Sequence, residues 1–308
     1  MDHALNHDTP RLLVIGELNV DLIVQLQGDV RFGQHEQLVD STVVTMGSSS
    51  AITACGAAAL GIATSLVTVY GDDVFGHYVI GELQRLGVDT TFARVDATRP
   101  TGSSVHLARP DRDRAILTAM GSIGAVTATD VPPLDGFAHL HVGSYFLQEA
   151  LWSDAPALFA RARAAGLSTS VDGNFDPALD WDRGIRSVLA HADIFFGNEQ
   201  EVAGITGLAG VDEGISALLD LMPQGAIVVF KRGADGALAV TRSERVEAPT
   251  PSLPGDVVDT VGAGDSLAAG FLTARLRGAG IAEALNLAVE CGTASTRAAG
   301  GTAAQLRA

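Results

Sequence analysis

Two kinds of hydrophobic pattern divide this chain. Residues 11–16 form a short apolar run ending at Gly16, the mark of a buried strand. Residues 19–26 then alternate. Val20, Leu22, Val24 and Leu26 are apolar, Asn19, Asp21 and Gln25 lie between them, and Ile23 breaks the rhythm. Alternation of this kind predicts a strand with one exposed face. Residues 37–45 read similarly, and 101–108 with 114–119 read as a hairpin across Pro110-Asp111-Arg112-Asp113. Four partly exposed strands, in two pairs, predict a small sheet beside a main domain, with one face free to cover a site.

Elsewhere buried strands and helices take turns. Helices are predicted over 51–60, 75–86, 154–165, 199–205, 211–221, 264–277 and 282–298. Strands are predicted over 65–70, 139–142, 168–172, 193–196 and 226–231, with a hairpin over 237–241 and 245–248. Strands separated by helices from residue 60 onward predict an α/β fold, a mostly parallel sheet covered on both faces. In such sheets the ligand crevice lies beyond the carboxyl ends of the strands.

Composition narrows the partners. With 308 residues, 47% hydrophobic and 18% charged, the chain can bury the core of one large domain, expected over 11–306, with lid strands from 18–45 and 101–119. A net charge of −16 speaks against nucleic acid or an anionic membrane as partner. It also means that an anionic ligand needs a local cradle. Cys55 and Cys291 lie in apolar helical segments, which predicts reduced, buried thiols and a cytoplasmic location. No apolar run reaches the length of a membrane span. Residues 1–10 are polar, lack a signal-peptide core, and are expected to be a disordered tail. Lys231 is the single lysine. Gene base composition accounts for that bias, yet it makes the position of Lys231 worth locating.

The chemistry concentrates in Asp259-Thr260-Val261-Gly262-Ala263-Gly264-Asp265-Ser266. Two glycines around Ala263 allow a tight turn into a small-residue helix. The first N–H groups of that helix lack internal partners and carry partial positive charge, a ready phosphate cradle. Asp265 follows directly, placed to accept a proton. Other polar groups fall at predicted strand ends: Gly16, Asn19 and Asp21; Asp172 and Asn174; Asn198 and Glu201; Lys231, Gly233 and Gly236. Any one could be an ordinary turn, but together on one edge they favour a site. No Gly-Lys pair exists, so a Walker A loop is absent, and no dinucleotide fingerprint follows the first strand. That disfavours a nicotinamide oxidoreductase.

These residues resemble the PfkB-type carbohydrate kinases of the ribokinase-like superfamily, over about 11–301. The 259–271 stretch fits that family's C-terminal signature. Asn198-x-x-Glu201, Gly16-x-x-Asn19-x-Asp21, Gly71-Asp72-Asp73-x-x-Gly76 and Lys231-Arg232-Gly233-Ala234-Asp235-Gly236 match in order and spacing. The resemblance implies a ribokinase-like fold with a small β-sheet lid, and ATP-dependent phosphorylation of a sugar hydroxyl. It implies Asp265 as catalytic base and the N–H groups of Gly262, Ala263 and Gly264 as anion hole. It implies Mg²⁺ held by Asn198 and Glu201 through water, and a monovalent cation such as K⁺ at Asp259 and the Val261 carbonyl. Gly233 and Gly236 would lie along the nucleotide. Lys231 either reaches the phosphates or is simply solvated. Asn19, Asp21, Gly47 and Ser48 would face the sugar, and the lid of relatives often pairs two subunits into a homodimer.

Two departures bear on the substrate. Relatives carry Gly-Gly and then a sugar-binding Asn, where this chain has Gly47-Ser48-Ser49-Ser50-Ala51-Ile52, with Ser at the second Gly and Ile52 at the Asn. Isoleucine cannot replace an amide's hydrogen bonds, though three serines could supply some. Many relatives also place an Arg where this chain has Asp176, which speaks against an anionic substrate. A nucleoside kinase on the same scaffold is the nearest alternative, and a non-catalytic sugar or nucleotide sensor is the alternative from another class. His139 and His141 read as packed histidines, and Trp152 and Trp181 as packing residues.

Overall fold

A computed structural model describes residues 10–111 and 113–308. The expected tail lies outside the described residues save for Pro10, and so does Arg112 at the hairpin tip. In chain order the strands are β1 (Arg11–Ile15), β2 (Asn19–Gln25), β3 (Ser41–Met46), β4 (Ala63–Gly71), β5 (Ala93–Asp96), β6 (Gly102–Ala108) and β7 (Arg114–Ala119). They continue with β8 (His139–Val142), β9 (Ser168–Asp172), β10 (Ile194–Gly197), β11 (Ile227–Lys231), β12 (Ala237–Val240) and β13 (Arg245–Ala248). The helices are α1 (Ser49–Ala59), α2 (Val74–Arg85), α3 (Ala155–Ala164), α4 (Ile185–Leu189), α5 (Glu199–Thr206), α6 (Val211–Leu221), α7 (Ala263–Leu276) and α8 (Ile281–Ser295).

Nine strands form the main sheet in the order β13-β12-β11-β10-β9-β8-β1-β4-β5. Strands β11 to β5 run parallel, and the β12–β13 hairpin closes one edge antiparallel. Alternate residues of one strand feed opposite cores. Leu13 and Ile15 of β1 join the cluster under α3 to α6, whereas Leu12 and Val14 join the one under α1 and α2. In β10, Phe195 faces the first cluster, while Ile194 and Phe196 face the α7–α8 side. Burial on both faces is why these strands read as apolar runs.

The four partly exposed strands form the expected small sheet, in the order β3-β2-β6-β7. The join is β2 with β6 in parallel, Asn19 opposite Gly102 through Gln25 opposite Ala108. Its two faces differ. Leu22, Val44, Val105 and Leu117 form one apolar row, and Val44 and Leu117 are 50% and 59% exposed. The opposite face carries Asp21, Ser104 and Thr118, with His106 two residues along. The sequence pattern missed β5 and α4, which are four and five residues long and carry mixed polar and apolar positions. The chain end returns to the site's underside, where Gln305 donates to the Ile52 carbonyl and to Ser266. No single helix among the described residues is long and apolar enough to cross a membrane.

Candidate active site

Because β1, β9, β10 and β11 are parallel, their carboxyl ends share one edge of the sheet. Gly16, Asp172, Asn198 and Lys231 therefore come together there, as their places at strand ends suggest. The N-termini of α1 and α7 converge on the same edge.

The α7 terminus is shaped by Gly262, its N-cap, at φ 74°. That conformation disfavours a side chain, and an added Cβ would also press on the Gly301 Cα at 2.6 Å. Among the described residues, the N–H groups of Gly262, Gly264 and Asp265 find no protein acceptor, and Ala263 N–H makes only a long contact to the Thr260 carbonyl at 3.4 Å. Three neighbouring amides are thus free to face an anion, and a fourth is only weakly held. Asp265 sits in the first turn. Ser49, the first residue of α1, donates its hydroxyl to the Asp265 carboxylate, and Thr53 donates to the Asp265 carbonyl at 3.3 Å. Burial pushes the Asp265 pKa up. The Ser49 hydrogen bond and Lys231 oppose this, Asp172 and Glu17 add to it, and the value rises to about 7.

Lys231 is not a solvated strand-end lysine. Its ammonium lies 2.9 Å from Asp172 Oδ2 and 3.5 Å from Glu201 Oε2, and the side chain is mostly buried. Burial works against its charge, but the Asp172 and Glu201 carboxylates outweigh that and hold the pKa above the ordinary lysine value. A Cβ at Gly264 would meet the lysine stem at 3.3 Å, so Lys231 borders the amide cradle. Asn198 and Glu201 form a capping box at the start of α5. Asn198 Oδ1 accepts from Glu201 N–H, and Glu201 Oε2 accepts from Asn198 N–H at 2.8 Å. Glu201 is buried, and its pKa is raised by desolvation against the pull of Lys231.

Lys231, Ala263 and Gly264 also line a cavity of about 450 Å³. Gly233, Gly236, Thr260, Leu267, Val289 and Gly292 are among its walls, which are largely apolar. It has the size and character of a pocket for a planar base.

On the lid side, Asn19 Nδ2 donates to Asp21 Oδ1 at 2.9 Å, and Gly47 N–H donates to the Asn19 carbonyl at 2.9 Å. A side chain at Gly47 would strike both Asp21 and Asn19. His106 reaches in from β6, its Nε2 3.4 Å from Asp21 Oδ2, and its buried Nδ1 has no protein partner.

Several expectations need correction. The three serines do not stand in for an amide. Ser48 donates to the Glu17 carbonyl at 2.5 Å and accepts from Ala51 N–H at 3.0 Å, so its hydroxyl caps α1 and does not face a sugar. Ser49 is taken by Asp265, and Ser50 by Glu17 Oε2 at 2.8 Å. Ser48 sits at φ 80°, a conformation that favours glycine, the residue expected here from the family resemblance. Ile52 packs against Gly262 and Gly301 beneath the amide cradle. Asp176 is buried and accepts from the N–H groups of Ala178, Asp180 and Trp181, so it builds a turn.

Two functional groups escaped the sequence reading. Glu17 is a buried carboxylate accepting from Ser50, Ser144 and Gln148, and nothing in the local pattern distinguishes it. Ser49 was visible only as one of three serines. His139 and His141 both lie against the Ser170 hydroxyl, at 2.7 and 2.8 Å. Burial pushes their pKa values down to about 3 and about 4, so both are neutral packing residues. Trp181 packs edge-to-face on Phe146.

Asp259 holds the turn before α7. Its Oδ1 accepts from Val261 N–H and its Oδ2 from Gly300 N–H, both at 3.0 Å. Arg114 of β7 stands 3.4 Å from the same Oδ1.

Comparison with known proteins bears on the family and the fold. The chain is 31% identical over 291 residues to an ATP-dependent ribose-1-phosphate kinase of Halopiger xanaduensis, covering 92% of this chain and 90% of that protein. It is 29% identical over 311 residues to an aminoimidazole riboside kinase of Salmonella typhimurium, covering 94% and 90%. The fold matches an Escherichia coli structure assigned as a ribokinase II and bound to ATP and Mg²⁺, with a TM-score of 0.84, 23% identity and coverage of 97% and 96%. Residues 9–307 match the family model for pfkB family carbohydrate kinases, and the chain belongs to that family.

Proposed function

We propose that this enzyme transfers the γ-phosphoryl group of ATP to an exocyclic or primary hydroxyl of a neutral sugar, with Asp265 as the base. One observation carries this reading: a carboxyl with its pKa raised to about 7 stands beside three free amide N–H groups, and a fourth that is weakly held, at the start of α7. The sugar hydroxyl would lie between Asp265 and the Asn19–Asp21 pair, which the Gly47–Ser49 segment ties to Asp265. As the hydroxyl attacks phosphorus, its proton passes to the Asp265 carboxylate. The amides of Gly262, Ala263 and Gly264 take up the charge on the transferring group, which is positioning and charge neutralisation, the main needs of phosphoryl transfer. The apolar cavity beside Gly233 and Gly236 would hold the base of ATP, and Lys231 would border its phosphates.

The Asn198 and Glu201 oxygens suit Mg²⁺ only through water. Both carboxylate oxygens of Glu201 are already hydrogen-bonded, and no cluster of three direct ligands occurs among the described residues. When bound, Mg²⁺ neutralises the β- and γ-phosphates. A K⁺ ion at Asp259 and the Val261 carbonyl fits less well, because Arg114 already flanks that carboxylate.

The small sheet would act as the lid that excludes water, its Asp21 and His106 face turned inward. Its outer apolar row would join two copies into a homodimer, and light scattering that returns a monomer mass would refute this. The cytoplasm is the proposed location. The carboxylates of Asp21 and Glu17 favour a neutral sugar over a phosphorylated one. ADP release from Mg-ATP over a panel of pentoses, hexoses, nucleosides and ribose 1-phosphate tests the reading. Turnover confined to nucleosides would favour the riboside alternative, and no ADP with any substrate would favour a sensor.

A further inference from the structure

The turn that presents the amide cradle lies in an acidic neighbourhood. Asp259, Asp265, Asp172 and Glu201 all border it, in a chain of net charge −16. Lys231 is the obvious counter-charge, but its ammonium is committed to Asp172 and Glu201. Asp259 is the carboxylate left over. It fixes the turn from both sides, through Val261 N–H and Gly300 N–H, so it cannot be dispensed with. A bare carboxylate there would repel the phosphoryl group the neighbouring amides are arranged to attract.

The cation that faces Asp259 comes from the lid. Arg114 is the first residue of β7 and Asp259 lies 145 residues later, yet Nη1 and Oδ1 stand 3.4 Å apart. Both line a cavity of about 80 Å³ between the lid's inner face and the 257–261 loop, together with His106, Gln25 and Val261. The other basic side chains lining that cavity are engaged elsewhere. Arg109 pairs with Asp29 at 2.6 Å and His106 lies by Asp21. The Asp259 side chain is 13% exposed and that of Arg114 is 32% exposed, so the pair is only partly screened by water.

We propose that Arg114 is a positioning residue that supplies, from the lid, the positive charge the Asp259 turn requires, so that phosphoryl transfer by this chain needs no monovalent cation. The inference rests on the reading of residues 262–264 as the anion cradle. It has a structural consequence. The cradle is charge-compensated only while β7 lies over it, so closing the lid and readying the cradle are one event. Asp259 and the Val261 carbonyl stay in place when Arg114 is removed, and their oxygen chemistry suits K⁺. The lost charge is therefore replaceable from solution.

The test measures ADP release in K⁺, Na⁺ and choline chloride at one ionic strength, for the native enzyme, R114A and R114Q. The native rate should agree within about twofold across the three salts, and R114A should fall by up to about fivefold in choline, the scale of a partly exposed ion pair. K⁺ should restore R114A, and it should raise the thermal midpoint of R114A but not of the native protein. A structural role alone would give no salt-selective rescue. The proposal is overturned by a native enzyme that K⁺ activates tenfold over choline, by R114A tracking the native rate in every salt, or by R114A that is folded but beyond rescue. If R114A does not fold, R114Q decides the same outcomes. D265N, run in parallel, bears on the cradle itself: if D265N kept full turnover, the functional reading would fall, whereas the salt series judges only Arg114.

Discussion

Replacing Asp265 by asparagine keeps the shape of the side chain and removes its capacity to take a proton. Loss of a positioned base costs roughly 10²–10⁴ in rate. Burial, Asp172 and Glu17 raise the native pKa from 3.8 to about 7, so the native rate should climb with pH to half its plateau near that value. The variant should show a low rate without that acid limb, while ATP binding persists, since the cradle amides are main-chain groups. Stability supplies an independent readout. A carboxyl whose folded pKa lies above its unfolded value binds its proton more tightly in the native state. Its contribution is fully present below the unfolded pKa, near pH 4, and is lost as pH rises through the folded pKa, near 7. A shift of about 3 units at 1.36 kcal/mol each bounds the penalty at about 4 kcal/mol. Asp265 keeps partial exposure to the cleft, so about 2 kcal/mol is the fairer figure. Asp265→Asn should therefore melt several degrees above the native protein at pH 8, and the gap should close near pH 4. Calorimetry at the two pH values, with initial rates from pH 5 to 9, makes the measurement. A variant with native turnover, or one with no stability advantage at pH 8, would refute the argument.

Glu201→Gln keeps the capping box, because Gln can serve at that position, and removes one charge beside Lys231. The Mg²⁺ concentration for half-maximal rate should rise, and an unchanged Mg²⁺ curve would remove Glu201 from the metal's surroundings. Gly47→Ala would press on Asp21 and Asn19. KM for the sugar should rise roughly tenfold or more with KM for ATP unchanged, the scale of a misplaced contact group. Equal changes in both constants would place Gly47 outside the sugar subsite.

Much of this protein is legible in its residue order. The period-two pattern at 19–26 marks β2, and the strands predicted at 139–142 and 168–172 are β8 and β9 at their observed bounds. Such patterns survive because burial on one face or two is written into consecutive residues. The Asp259–Ser266 stretch is readable for a related reason: a turn into a helix needs its glycines and its acid close together in the chain. Where the reading failed, the determinant was not local. Ser48, Ser49 and Ser50 look interchangeable in sequence, yet one caps α1, one binds Asp265 and one binds Glu17. Their directions follow from the docking of α1 against α7 and β1.

Composition and spacing pointed to the class of fold and the presence of an exposed-face sheet, and the resemblance of the 259–271 stretch to a kinase signature carried the proposed phosphate-facing half of the site. Tertiary structure decided that β2 and β6 join in parallel to complete the small sheet, that Lys231 is locked between Asp172 and Glu201, and that Arg114 meets Asp259 across 145 residues. The physical reason is the same in each case. Hydrophobic period and turn chemistry act between near neighbours, whereas the partner of a buried charge is whichever group the sheet order brings beside it.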